Sequence, residues 1–276
     1  MSYTTLALLS AIFAAIANVS ARTLLKQLKV RDMFGISFLS VAGLLLLGSP
    51  WFYHFQITPR SILLLAMIIC LDTIGNFFYF KSFERHEAST VTPLLALSPA
   101  FAFLGSWLLL SLTEPWYMYL IAAAIIVAVI FFSIDYKRGF HVGLATFLPA
   151  VITAACFGLS ALPTKLLLTD AVTNAPSLYM LRAALIGLIT LVLFGTRFKS
   201  VTTQQFGYII LRSAIVSTSW ILFYYALAKG DVGIVSTLGA TAPVFVFIIG
   251  AVFLHEKMTF KKLLAAGLIV LLSLTL

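Results

Sequence analysis

The sequence predicts an all-α membrane protein, with ten transmembrane helices arranged as two inverted five-helix repeats around a central cavity. Three observations predict it. Of the 276 residues, 62% are hydrophobic and only 10% are charged, whereas soluble domains carry about 25% charged residues. Apolar stretches follow one another almost without pause, each near the roughly 20 residues that a bilayer core requires of a helix. Finally, the second half of the chain repeats the pattern of the first.

The spans read from hydropathy are 4–26, 33–50, 61–82, 89–111, 116–134, 142–168, 176–195, 205–227, 232–254 and 259–275. No Lys or Arg precedes Arg22, so the first lacks the basic start of a cleaved signal peptide and is read as a span. The connections are too short to hold a soluble domain. The net charge of +9 would suggest nucleic acid in a soluble protein. Here the basic residues mostly cap spans, where they snorkel or lie beside lipid head groups. The bilayer is therefore the expected partner, and nucleic acid is not. Arg22 and Lys165, close to span ends, are expected to snorkel. Cys70 and Cys156 lie inside separate spans, which gives neither metal-ligand spacing nor a disulfide framework.

The repeat emerges at a shift of 144 residues, which lays VTPLLALSPAFAFLGSWLLL (91–110) over VSTLGATAPVFVFIIGAVFL (235–254). Val91, Leu94, Ala96, Pro99, Phe101, Phe103 and Leu110 fall on Val235, Leu238, Ala240, Pro243, Phe245, Phe247 and Leu254. A matched proline followed by two matched phenylalanines is hard to obtain from apolar composition alone. The chain thus divides into repeats at 1–138 and 139–276. Five spans is an odd number, so the second repeat enters the membrane from the opposite side. Such inverted repeats are typical of secondary transporters, with the substrate site near the midplane between the halves. Pro99 and Pro243 sit inside predicted helices, where proline removes a hydrogen bond at a cost of about 3 kcal/mol or more. Carbonyls freed at membrane depth are tolerated only against protein or a water-filled cavity. Both prolines are therefore candidate helix-break or gating residues, with packing kinks as the alternative.

A Tyr-rich helix end, a small polar linker, an apolar helix with a central proline, a Glu and a Gly/Ala-rich last helix run through residues 222–274. This pattern resembles the EamA-type domain of the drug/metabolite transporter superfamily. SLYMLRAAL (177–185) is similar to the second helix of that domain, with Arg182 in the expected place. The first half departs more, since Ser37 or Phe38 stands where an Arg is expected and TEPWYMYL replaces a polar helix start. The resemblance covers nearly the whole chain. It implies ten helices, a central cavity and alternating access, and it names no substrate.

A charged side chain at the bilayer centre costs at least about 2.5 kcal/mol and is a functional candidate by default. Asp72 lies midway through its span, and Asn76 and Tyr79 follow it at i+4 and i+7 on one helical face. The corresponding helix of the second half carries Ser217, Ser219, Trp220 and Tyr224, with Trp220 aligned on Asn76. The two helices offer one polar and one aromatic wall, suited to an amphipathic solute whose ammonium would meet Asp72 or an aromatic face. Arg182 and Arg212 lie one to two turns inside their spans and have three readings: an anionic substrate, a pairing with Asp72, or snorkelling. An organic phosphate would need both guanidinium groups to converge. The small residues Ser20, Gly158, Ser160, Gly187 and Gly267 are expected at close helix contacts.

Enzyme readings find no support. HEAST (86–90) and HEKMT (255–259) begin like a zinc-protease motif, but Thr stands where the second His ligand would be. No metal site or cofactor is expected. No acid occurs in residues 1–31, so the proton-coupling Glu of small multidrug members of the superfamily has no equivalent. Proton coupling through Asp72, exchange and uniport all stay open. Twelve Lys and Arg fall in odd-numbered connections (26, 29, 31, 81, 85, 137, 138, 197, 199, 257, 261 and 262) against three in even ones (60, 165 and 229). By the positive-inside rule this places both termini outside, whereas the family resemblance implies termini inside. The expected function is transport, in the outward direction, of a small polar or amphipathic metabolite such as an amino acid across the cell (inner) membrane. The alternatives are an organic-anion or organic-phosphate exchanger of the same fold and a non-transporting sensor or scaffold.

Overall fold

A computed structural model describes residues 1–110 and 144–253, together with 116, 117, 120, 123, 124, 127, 134, 135, 139, 140, 264, 267, 268 and 271. Its helices are α1 (Tyr3–Leu25), α2 (Val30–Phe52), α3 (Pro59–Arg85), α4 (Ala88–Leu95) and α5 (Ser98–Leu110) in the first half. In the second they are α6 (Leu144–Thr169), α7 (Ala175–Phe194), α8 (Thr203–Lys229), α9 (Val232–Gly239) and α10 (Ala242–Phe253). A two-residue ladder pairs Ile134–Asp135 with Gly139–Phe140 between the halves. Among the described residues, eight helical segments are long and apolar enough to cross a membrane, counting α4 with α5 and α9 with α10 as single spans. The fifth and tenth expected spans lie largely outside the described residues, as do Glu114, Glu256 and the HEKMT segment.

The two halves use the same local devices at equivalent positions. Both long third helices begin with a reciprocal cap, in which an N-cap threonine and the residue three places on bond each other's backbone N–H. The pairs are Thr58 with Ser61 in α3 and Thr202 with Gln205 in α8, related by 144 residues in each case. Acidic residues Glu87 and Asp231, again 144 apart, stand at the N-caps of α4 and α9, where negative charge complements the helix dipole.

Packing follows the same correspondence. Helix α1 packs on α8 as α6 packs on α3, and α1 meets α9 and α10 as α6 meets α4 and α5. Helix α4 meets α10 as α9 meets α5, while α2 packs on its own counterpart α7. Specific bonds repeat as well. The Ser10 hydroxyl donates to the Ser219 carbonyl at 2.9 Å, and at the matching place the Thr153 hydroxyl donates to the Gly75 carbonyl at 3.1 Å. Large apolar side chains such as Leu47, Trp51, Leu63, Val192 and Leu211 point outward and are exposed. Exposed apolar surface on that scale needs a covering phase, and the chain is a multi-pass integral membrane protein.

Two expectations require correction. Arg22 and Lys165 do not snorkel. One Nη of Arg22 donates to the Phe83 and Glu84 carbonyls at 2.9 and 2.7 Å, closing the end of α3. The Lys165 ammonium donates to the Leu227 and Gly230 carbonyls at 2.7 and 2.8 Å, closing the end of α8. The last carbonyls of a helix lack intrahelical partners, and a cation there also meets the negative end of the helix dipole.

For Pro99 and Pro243 it is the alternative, a packing kink in a continuous helix, that is corrected, and the helix break that is found. Each span breaks just upstream, and the two prolines are the second residues of the new helices α5 and α10. In a first helical turn the missing N–H needs no partner. The breaks are matching turns: Ala96 and Leu97 bond back to the Pro93 and Leu94 carbonyls, and Ala240 and Thr241 to those of Thr237 and Leu238. Ala96 and Ala240, counterparts at the shift of 144, are buried against each other, so the breaks of the two halves meet.

Candidate functional site

Beside the meeting breaks lies a cavity of about 190 Å³. That is smaller than the roughly 300–1,000 Å³ of drug-sized ligand sites, so it suits a small metabolite. Its wall combines Leu95, Ser98 and Pro99 from the first break with Ser236, Gly239 and Ala240 from the second. Leu95 and Gly239 occupy equivalent positions, four residues before each proline, where the carbonyl has lost its usual helical donor.

Helix α1 contributes Ser10, Ala14, Ala17 and Asn18 on one face. Helix α3 contributes Asn76, Tyr79 and Phe80, and α8 contributes Arg212, Val216, Ser219, Trp220 and Phe223. Polar groups on this wall are tied down. The Tyr79 hydroxyl donates to Asn18 Oδ1 at 2.7 Å. The Asn76 amide donates to the Asp72 backbone carbonyl at 2.7 Å. The Ser10 and Ser219 hydroxyls each donate to the other's carbonyl at 2.9 Å, pinning α1 to α8.

Of the residues singled out from sequence, Asn76, Tyr79, Trp220, Arg212 and Pro99 line this cavity; Asp72, Arg182, Tyr224 and Pro243 are not among its lining residues. Asp72 forms an ion pair with Arg182 at 2.5 Å, with both side chains only 1% exposed. The expectation that Asp72 offers its carboxylate to a substrate is therefore corrected. Asp72 lies one turn of α3 from Asn76, about 6 Å along the axis, at a level where α7 sets Arg182 against it. Arg182 also donates to the Tyr224 hydroxyl at 3.1 Å and lies over Trp220, 4.3 Å from its ring centroid. Tyr179 contributes a further face at 5.4 Å. The Trp220 indole thus has two roles, as a cavity wall and as the lid over the buried Asp72–Arg182 pair.

Arg182 and Arg212 do not converge on one point, as the organic-phosphate alternative would need. Arg182 is neutralised behind Trp220, and Arg212 alone reaches the cavity. Phe38, the counterpart of Arg182 at the shift of 144, lines the cavity in its place. Sequence reasoning missed Ser10 and Asn18. Their signal was present as a small and polar stripe, Ser10, Ala14, Ala17 and Asn18, at helical spacing within an otherwise apolar span. Among the described residues no three His, Cys, Asp or Glu side chains are placed to hold a metal ion.

No curated protein matches this chain by sequence. One solved structure, described only as "Crystal structure of protein", is similar over 98% of this chain and 93% of its own, with a TM-score of 0.69 at 14% identity. At that identity the likeness concerns the fold alone. The model of the EamA-like transporter family matches twice, over residues 1–134 and 144–275. Those two matches take in nearly every residue discussed above, and the chain belongs to the EamA-like transporter family.

Proposed function

We propose that this chain is a secondary transporter that moves a small amphipathic metabolite outward across the cell membrane by alternating access. In this reading the halves 1–138 and 139–276 are inverted five-helix repeats, ten helices in all, rocking about the cavity between them. The observation that carries it is the meeting of the two helix breaks at the cavity wall, Leu95–Pro99 against Ser236–Ala240. Paired breaks beside a cavity between repeats suit a site that must open to either face.

The walls favour an amphipathic solute. Phe38, Phe80, Phe157, Trp220 and Phe223 offer apolar faces, while Asn18, Asn76, Tyr79 and Arg212 offer polar atoms. An organic-phosphate exchanger is less well supported, because a phosphate calls for paired forks and Arg182 is already held by Asp72. The amino-acid reading loses the acid that was to meet the ammonium.

The test is counterflow. Purified protein in proteoliposomes, preloaded with a mixture of unlabelled small metabolites, is expected to accumulate a labelled member of that mixture transiently. Empty liposomes should not. Equal leakage with and without protein for every solute tried would favour a sensor or scaffold.

A further inference from the structure

We infer that the cavity selects organic monocarboxylates and that Arg212 is the residue that binds their head group. This deepens the transporter reading and rests on it. Arg212 is 5% exposed and lines the cavity. Among the described residues no carboxylate pairs with it. Its Nε donates to the Ala17 carbonyl at a long 3.3 Å, its guanidinium lies 5.3 Å from the Phe80 ring centroid, and the Tyr79 hydroxyl stands beside it. The contrast with Arg182 lies in the carboxylate: both guanidinium groups are buried beside a tyrosine hydroxyl and aromatic rings, but Arg182 is paired with Asp72.

A buried cation without a counter-ion is costly in any protein and more so at membrane depth. It is retained where an anion completes it. Neighbouring donors fit the same anion. Asn18 uses its oxygen to accept from Tyr79, so its amide N–H groups remain to donate. A carboxylate bridging Arg212 and Asn18 would gain charge-assisted bonds, with its apolar body against Trp220 and Phe223.

The charge count sets the selectivity. Among the described residues no acid lines the cavity, so an ammonium would face Arg212 without compensation. A phosphate dianion would find one guanidinium where two are wanted. One negative charge on an apolar body is the complement, in a space of about 190 Å³.

The experiment uses the full chain in detergent and reads melting temperature against ligand concentration. The probes are two carboxylates of different body, 3-phenylpropanoate and 3-methylbutanoate, with the amide and the amine corresponding to each, and phenyl phosphate. At least one carboxylate is expected to stabilise the protein with an apparent affinity about tenfold or more above its amide. The amines and phenyl phosphate should bind more weakly still. Arg212→Lys should keep the preference at reduced affinity, and Arg212→Gln should erase it. The wild-type series decides the matter even if Arg212→Gln fails to fold. An amide or amine equal to its acid, no shift from either carboxylate, or a preference that survives in folded Arg212→Gln overturns the inference. Counterflow of a neutral or cationic solute, unchanged in Arg212→Gln, would remove the carboxylate assignment and leave the transporter reading intact. Carboxylate binding without any translocation would do the reverse.

Discussion

Asp72→Ala is expected to remove most of the folded protein. The substitution leaves the Arg182 guanidinium 1% exposed and without its carboxylate. Breaking a buried pair by deleting one partner costs about 3–5 kcal/mol, a large fraction of the 5–15 kcal/mol that holds an ordinary domain together. Removing both charges is different, because apolar side chains of similar volume often replace a buried pair at little cost. Asp72→Leu combined with Arg182→Met should therefore recover a monodisperse, folded protein, although each change alone does not. Size-exclusion profiles and melting curves of the two single variants and the double variant in detergent check this. A well-folded Asp72→Ala that has lost transport would show instead that the carboxylate acts on substrate or coupling.

Gly158→Val is expected to separate α6 from the start of α5. A β-carbon built on Gly158 would stand 2.3 Å from the Ser98 carbonyl oxygen, 2.8 Å from the Phe101 β-carbon and 3.0 Å from the Ala102 nitrogen. Two of these three are backbone atoms, and backbone cannot swing aside as a side-chain tip can. Even Gly158→Ala should cost about 1–3 kcal/mol, as overpacking does elsewhere, and valine should cost more. Gly43 in α2 is the control: it is exposed, and its added β-carbon meets nothing within 4 Å. Gly43→Ala should be neutral, or stabilising by about 0.5–1 kcal/mol through the helix preference of alanine. Equal melting temperatures for Gly158→Ala and Gly43→Ala would contradict the close approach of α5 and α6.

Much of this architecture was legible in the sequence because it depends on hydropathy and on proline. The eight spans among the described residues coincide with apolar runs, and the paired breaks with the only pair of prolines that survives the shift of 144. The cavity's polar wall was partly legible, since Asn76 and Tyr79 share a face by spacing alone. What was not legible depends on backbone acceptors. The Gly75, Phe83, Ser219 and Leu227 carbonyls accept the bonds that make the halves alike, and a carbonyl leaves no trace in residue type. Ser10 and Thr153 therefore do the same work without looking like a repeat, as do Arg22 and Lys165. The contrasting fates of Arg182 and Arg212 were likewise hidden. Each lies inside an apolar helix, and only the packing decides that one finds Asp72 and the other faces the cavity.

Accessibility from the two membrane faces tests the central claim most directly. With Cys70 and Cys156 replaced by alanine, single cysteines at Ala14 and Val216 would report on the cavity wall from α1 and α8. A membrane-impermeant thiol reagent is applied to one face at a time, using right-side-out and inside-out vesicles. Alternating access predicts that both positions react from either face, and that a solute that locks one state suppresses labelling from one face while raising it from the other. Labelling from a single face under every condition, at both positions, would contradict a cavity that opens in turn to each side.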